Sequence, residues 1–278
     1  MTTTLRPTEP LQQSADGTRR RHYQVCVNSR PAGEITLSTD PVFGPATGVL
    51  DGLRIEEPDR RRGRATVAVL AAEEVARGWG CERIEADVPG GSDAGLRLAA
   101  VLGYVPRSRI MVKRLGDTAP ALPEGSRART MTAEEFDVWR GLAVQRYVEA
   151  CAARGMPAAQ AREHAERDQA KRLPQGPATP GVSLAVLEHE GSTVGTLWLS
   201  PRDGAAYVWD VEVDAAHRGR GHGRSLMLAA EAYALASGSP EIGLNVFAGN
   251  TPAERLYESL GYTTVTHRVR KDLVQGLL

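Results

Sequence analysis

The chain carries two copies of one sequence. Shifted by 158 residues, Leu53–Leu115 falls on Val211–Leu273 without a gap, and 19 of the 63 aligned pairs are identical. The identities include Arg60/Arg218, Gly63/Gly221, Ile84/Ile242, Arg97/Arg255 and the run Leu102-Gly103-Tyr104 against Leu260-Gly261-Tyr262. A period this long exceeds a solenoid unit of about 20–50 residues and matches a whole domain. Any fold assigned to one copy must therefore suit the other. The 278-residue length agrees, because a domain uses roughly 100–200 residues.

Upstream the copies correspond with a small shift. Tyr23–Val27 and Glu34–Thr39, joined through Asn28–Gly33, read as a hairpin; Ser183–Glu188 and Val194–Leu199 around Gly191 read as its partner. A strand follows in each copy (Gly48–Ile55, Ala206–Val213). Then come a Gly/Arg loop, a helix (about 65–77 and 223–236), a strand (83–88 and 241–247), a short helix and a closing strand. The expected class is α/β, a mixed central sheet flanked by helices, present twice. Only the second copy has room for two front helices. Ala133–Arg154 follows a Thr132/Glu135 capping box, and Pro157–Leu173 opens on a proline suited to the first helical position. The expected layout is a flexible tail (1–21), a truncated copy (22–115), a linker (116–125) and a complete copy (126–278).

Composition narrows the class. Lys plus Arg and Asp plus Glu both number 34, giving zero net charge and disfavouring a nucleic-acid or anionic-membrane binder. No apolar run approaches the ~20 residues of a membrane span, and residues 1–21 lack the apolar core of a secretory signal. Cys26, Cys81 and Cys151 are odd in number and far apart, unlike a disulfide framework or zinc site. A cytoplasmic protein without a metal site is expected.

Chemistry concentrates in the second copy. From Val211 to Leu226 a strand ends, a glycine-rich turn carrying Arg218, Gly219, Arg220 and Gly221 follows, and a helix begins with Gly223, Arg224 and Ser225 in its first turn. Glycines let backbone approach a ligand, a helix N-terminus offers unpaired N–H groups, and arginines add charge for phosphate. The spacing fits neither a Walker loop nor a dinucleotide fingerprint, since the third glycine of the latter would fall at Arg224. Arg218-x-x-Gly221-x-Gly223 resembles the acyl-CoA pyrophosphate loop of the GCN5-related N-acetyltransferase (GNAT) superfamily. Asn250-Thr-Pro-Ala253 through Leu256-Tyr257 to Leu260-Gly261-Tyr262 resembles a later motif of that family. Thr251, Pro252 and Glu254 read as a capping box, and Ala253, Leu256, Tyr257 and Leu260 share one helix face.

The resemblance implies two tandem GNAT-like domains and acetyl transfer from acetyl-CoA to a primary amine. It places acetyl-CoA against the backbone of Val211 and Val213, against Arg218, Gly219, Arg220, Gly221, Gly223, Arg224 and Ser225, and near Asn250. It makes Tyr257 the proton donor to the departing thiolate. Alternation puts Asp210 and Glu212 on one face of their strand and Trp209, Val211 and Val213 on the other. Glu212, nearer the loop, is the favoured base, acting through water. Tyr147, Glu149, Asp210 and Asn245 are candidates to meet the acceptor. At matching positions the first copy has Arg61 for Gly219, Ala65 for Gly223, Ser92 for Asn250 and Ala99 for Tyr257. It reads as a structural half. Acceptors to separate are a small-molecule amine and a peptide or protein amino group; a silent CoA-binding module is the non-enzymatic alternative.

Overall fold

A computed structural model gives the fold and describes residues 2–152 and 156–273. In chain order the first elements are β1 (Thr3–Pro7), β2 (Gln12–Gln13), β3 (Arg19–Val27), β4 (Arg30–Asp40), β5 (Gly44–Ile55), α1 (Arg64–Gly78), β6 (Arg83–Pro89), α2 (Asp93–Val101) and β7 (Val105–Arg114). After a segment without helix or strand come β8 (Ser126–Thr130), α3 (Ala133–Ala152), α4 (Ala158–Arg172), β9 (Ser183–His189), β10 (Ser192–Arg202) and β11 (Ala205–Val213). The chain continues through α5 (His222–Ala236), β12 (Glu241–Phe247), α6 (Thr251–Ser259) and β13 (Thr263–Asp272). Arg154, expected to end the first front helix, and residues 274–278 of the expected second domain lie outside the described residues.

The described residues form two compact units, residues 2–109 with 265–273 and residues 110–264. These boundaries differ from the expected 22–115 and 126–278 in one instructive way: the outer halves of the closing strands are exchanged. In unit 1 the sheet order is β1-β3-β4-β5-β6-β13, and β13 pairs antiparallel with β6 from Thr266↔Pro89 to Asp272↔Arg83. In unit 2 the order is β7-β12-β11-β10-β9-β8. Two matching anchors fix the exchange. Leu273 N–H donates to Glu82 O at 2.7 Å, and Leu115 N–H donates to Pro240 O at 2.9 Å. Lys271 Nζ reaches Glu73 Oε2 of α1 at 2.6 Å, and Lys113 Nζ reaches Glu231 of α5 at 2.7 Å. Glu73 and Glu231 are 1 % and 4 % exposed, so each exchanged strand brings the cation that lets a helix bury a carboxylate.

The N-terminal residues are not a free tail. β1 pairs with β3 from Thr3↔Val27 to Pro7↔Tyr23, and Leu5 packs against the core of unit 1. The short polar strand was illegible because its apolar content is a single leucine.

Unit 2 positions the site. On β9 and β10, Ala185, Leu187, Leu197 and Leu199 face α5 and α6, whereas Leu184, Val186 and Trp198 pack with Phe136 and Trp139 of α3. The two-residue period of a strand thus supplies two cores, one per face. Each fully buried Leu226, Met227, Ile242 or Leu244 contributes about 1.5–3 kcal/mol of transfer free energy. Pro157 is the N-cap of α4 rather than its first helical residue. The Thr132/Glu135 capping box forms as expected: Glu135 N–H donates to Thr132 Oγ1 and Thr132 N–H to Glu135 Oε2.

Candidate active site

The sheet of unit 2 opens where the site lies. β11 and β12 run parallel but pair only from Ala206↔Ile242 to Val208↔Leu244. Beyond that, Asp210–Val213 remain paired to β10 on one side and leave the other side free of β12. Gly195 allows β10 to approach: a Cβ there would lie 2.4 Å from Glu212 O. Extended backbone with one unpaired edge can accept a strand-like ligand arm.

A cleft of about 650 Å³ occupies this opening, lined by Val211, Glu212, Val213, Arg218, Gly219, Gly221, Gly223, Arg224, Asn250 and Tyr257. Ten of the singled-out residues therefore meet in one cavity. Gly219 and Gly221 adopt φ of +77° and +88°, and Gly221 caps α5 without a side chain, leaving first-turn N–H groups for a ligand or water. Gly223 brings α5 against α6: a Cβ there would sit 3.2 Å from Leu256 Cδ2. Arg224 Nη2 donates to Ser259 Oγ at 2.5 Å, tying the same two helices.

The remaining candidates lie elsewhere. Arg220 does not line the cleft, and Ser225 is buried in the first turn of α5. Asn250 lines it but also caps α6, its side chain accepting from Ala253 N–H at 3.3 Å. The expected capping box is displaced by one residue, with Thr251 and Pro252 inside the helix, because an asparagine in the preceding position caps as well as threonine does. Ser92 does the same for α2 through Gly95 N–H. Tyr147 stacks on His164 of α4, and Glu149 accepts from Gln145; neither lines the cleft. Asn245 lies at the strand opening, its Oδ1 buried without a hydrogen-bond partner.

The acids of β11 part company. Glu212 Oε1 accepts from Arg218 Nη2 at 2.5 Å, while Arg218 Nε donates to Val213 O. Asp210 Oδ2 accepts from Trp139 Nε1 at 3.0 Å and Arg146 Nη2 at 2.6 Å, both from α3. A bulge explains their surroundings. Trp198 pairs with Asp210 and Leu199 with Val208, so Trp209 is the extra residue, strict alternation fails there, and Trp209 packs on the α3 side with Trp198. Burial raises the Asp210 carboxyl, against the lowering effect of Arg146. Burial also pushes the Tyr257 phenol up to about 12, helped by the Asp210 charge. His222 opens α5 with its ring 4.9 Å from His189 and 6.2 Å from His217; burial, then these rings, lower its affinity for a proton. Among the described residues, no group of three or more His, Cys, Asp or Glu could hold a metal ion.

Residues 2–104 and 147–262 both match the acetyltransferase (GNAT) family. The chain belongs to that family. It is 32% identical over 257 residues to a mycothiol acetyltransferase of Streptomyces griseus subsp. griseus, covering 88% of this chain and 77% of that one. It is 32% identical over 190 residues to another from Thermobispora bispora, where the match spans 60% of the relative and 62% of this chain. Its fold resembles that of a GCN5-related N-acetyltransferase from Sphaerobacter thermophilus, with a TM-score of 0.61 at 21% identity over 92% of this chain and 82% of that one. A tandem GNAT protein from the clavulanic acid biosynthesis pathway gives 0.52 at 20% identity, over 95% and 86%.

The first GNAT region keeps the loop and loses the cleft. Arg60 Nε donates to Ile55 O as Arg218 Nε does to Val213 O, and Arg61 and Gly63 hold φ of +58° and +73° where Gly219 and Gly221 stand in the second. β5 and β6 likewise part after Leu50↔Ala86. The cavity there, about 310 Å³, is lined by apolar groups including Leu53, Val88, Leu98 and Ala99, and no residue from Arg60 to Ala65 borders it.

Proposed function

We propose that this chain is an N-acetyltransferase moving an acetyl group from acetyl-CoA to a primary amine of a small molecule. One observation carries the reading: in unit 2 a single cleft joins the glycine/arginine loop to Tyr257. The residues fit acetyl-CoA. Left-handed glycines and uncapped N–H groups of α5 suit a pyrophosphate, Arg218 and Arg224 add charge, and the free edge of Val211 and Val213 suits the pantetheine amides. When bound, acetyl-CoA supplies an activated thioester. Backbone N–H at Val213 is a candidate oxyanion donor. Tyr257 stays protonated at neutral pH and can donate to the sulfur. Against a thiol near ~8.5, its level of about 12 makes full transfer uphill by roughly 5 kcal/mol, so it acts mainly as a hydrogen-bond donor until the leaving group develops charge. Relatives named as mycothiol acetyltransferases favour a small acceptor over a protein one. Buried free Cys26, Cys81 and Cys151 suit the cytoplasm, and no helix among the described residues is long and apolar enough to cross a membrane.

The test is thiol release from acetyl-CoA over a panel of small amines and peptides, with calorimetric titration of CoA. Turnover on a small amine is expected, and Arg218→Ala should weaken CoA by about tenfold, near the ~1.5 kcal/mol of a charge-assisted hydrogen bond. Turnover on peptides alone moves the reading to a protein acceptor. CoA binding without turnover on any acceptor leaves a silent module. An unchanged CoA affinity in Arg218→Ala rejects the pyrophosphate assignment.

A further inference from the structure

The cavity of unit 1 plays no part in the acetyl-transfer reading. It measures about 310 Å³, and its walls come from β4, β5, β6, α1, α2 and Val269 of β13. The repeat shows how the space arises. Met227, Leu244 and Tyr257 of unit 2 are answered in the lining by Val69, Ala86 and Ala99, and Met111 is answered by Val269. Among the lining residues of the gapless stretch, only Leu53 is larger than its counterpart, Val211, by one methylene. Gly95, against Ala253, has a separate cause: a Cβ there would lie 2.8 Å from both Ser92 Oγ and Val88 Cγ1. Four shortened side chains on four different elements, α1, β6, α2 and β13, thus empty one common volume. An apolar void lowers stability in proportion to its size, so a half kept only for structure gains nothing from such a space.

We infer that this cavity binds an uncharged apolar molecule, an alkyl chain or ring of about ten non-hydrogen atoms. The size follows from the volume, at the ~30 Å³ that one water-sized group occupies. The chemistry follows from the walls. Dry apolar cavities take apolar guests, which leave water favourably. The charged residues of the lining are both acids. Asp51 Oδ1 accepts from Gly52 N–H at 2.8 Å, and Asp87 pairs with Arg268 at 3.4 Å. Among the described residues no lysine, arginine or histidine borders the cavity, so a carboxylate or phosphate on the guest finds no cation there. β5 and β6 part after Leu50↔Ala86, and Asp51–Leu53 and Asp87–Pro89, the residues past that parting, border the cavity. The guest therefore enters where the sheet is open. The site is independent of the acetyl-transfer reading, because none of the loop from Arg60 to Ala65 lines it.

The test titrates 1-octanol by calorimetry into the full chain and into Val69→Met, Ala86→Leu and Ala99→Phe. Each substitution restores bulk that unit 2 carries at the matching position, and melting temperatures select the variants that fold like wild type. Wild type is expected to bind one octanol saturably, and the folded variants at least about tenfold more weakly. Octanoate should bind wild type at least about tenfold more weakly than octanol. Saturating CoA should leave octanol affinity within about twofold, since no part of the loop lines the cavity. Absence of saturable binding, or equal binding by every folded variant, overturns the inference. Octanoate binding as tightly as octanol overturns the uncharged class. Displacement of octanol by CoA would make the cavity the arm of a second CoA site and overturns the inference too. Turnover of an amine, or its absence, bears on the acetyl-transfer reading alone.

Discussion

The two GNAT regions hold nearly the same backbone and different chemistry. Both strand pairs part after three or four paired residues, and both loops place two left-handed positions, one residue apart, before a helix. Yet the tyrosine that borders the cleft of unit 2 is an alanine in unit 1, and no residue of the loop borders the cavity there. Backbone form is thus the cheaper property to keep. It follows from β–loop–α connectivity and a few glycines, whereas the second region adds Tyr257 at its cleft and α3 against Asp210. The first region has Ala99 for Tyr257, Gly52 for Asp210 and no counterpart of α3.

Replacing Tyr257 tests the chemical half of this contrast. Tyr257→Phe keeps the ring packing and removes only the hydroxyl. A fall in turnover of about a hundredfold, about 2.7 kcal/mol, is expected with little change in CoA affinity. Because burial holds the phenol near 12, wild-type turnover should show no basic limb from this residue below pH ~11. Turnover that survives the substitution makes the two regions equivalent at this position and ends the proton-donor assignment.

The exchanged strands test the half that the regions share. Glu73 and Glu231 are each buried against a lysine from a closing strand. Glu231→Ala should cost about 2 kcal/mol, less than the ~3–5 of a fully buried pair because Lys113 is 23 % exposed. Glu73→Ala should cost about the same. Double-mutant cycles sharpen the point: Lys113 should couple to Glu231 and Lys271 to Glu73, whereas Lys113 and Glu73, neighbours in the repeat, should be additive in a urea titration. Coupling of the latter pair would mean that each region keeps its own closing strand.

Much of this was legible in the repeat. The offset of 158 residues located both copies, and periodicity placed the main strands and helices to within a few residues. The exchange was not legible, and the repeat itself is the reason. Lys113 and Lys271, like Leu115 and Leu273, are identical, so either strand satisfies either sheet on pattern alone. Of the site, the loop and Tyr257 could be read because they lie close in sequence to glycine and capping signals. The partners of Asp210 could not. Trp139 and Arg146 are 71 and 64 residues away on a helix, and the bulge at Trp209 hides in an otherwise regular strand. The cap at Asn250 was missed by one residue because Asn250 and Thr251 are both good caps.

The smallest expected effect separates loop form from loop function. Arg61 holds a left-handed conformation without being glycine, at a cost of about 1 kcal/mol, while Gly219 meets the same demand without strain. A Cβ at Gly219 would touch nothing within 4 Å, so Gly219→Ala carries only the conformational penalty, partly offset by reduced freedom of the unfolded chain. Its loss of stability should be about 0.5–1 kcal/mol. Arg61→Gly reverses both terms and should raise stability by about the same amount, ~0.5–1 kcal/mol. Function should divide them more sharply. The added methyl at Gly219 enters the space proposed for pyrophosphate and should weaken CoA several-fold, although the loop of unit 1 shows that a side chain can be accommodated there without refolding. Thermal melts and calorimetry on the two variants check this. Equal CoA affinity in Gly219→Ala and wild type would show that this glycine, like Arg61, serves the turn alone.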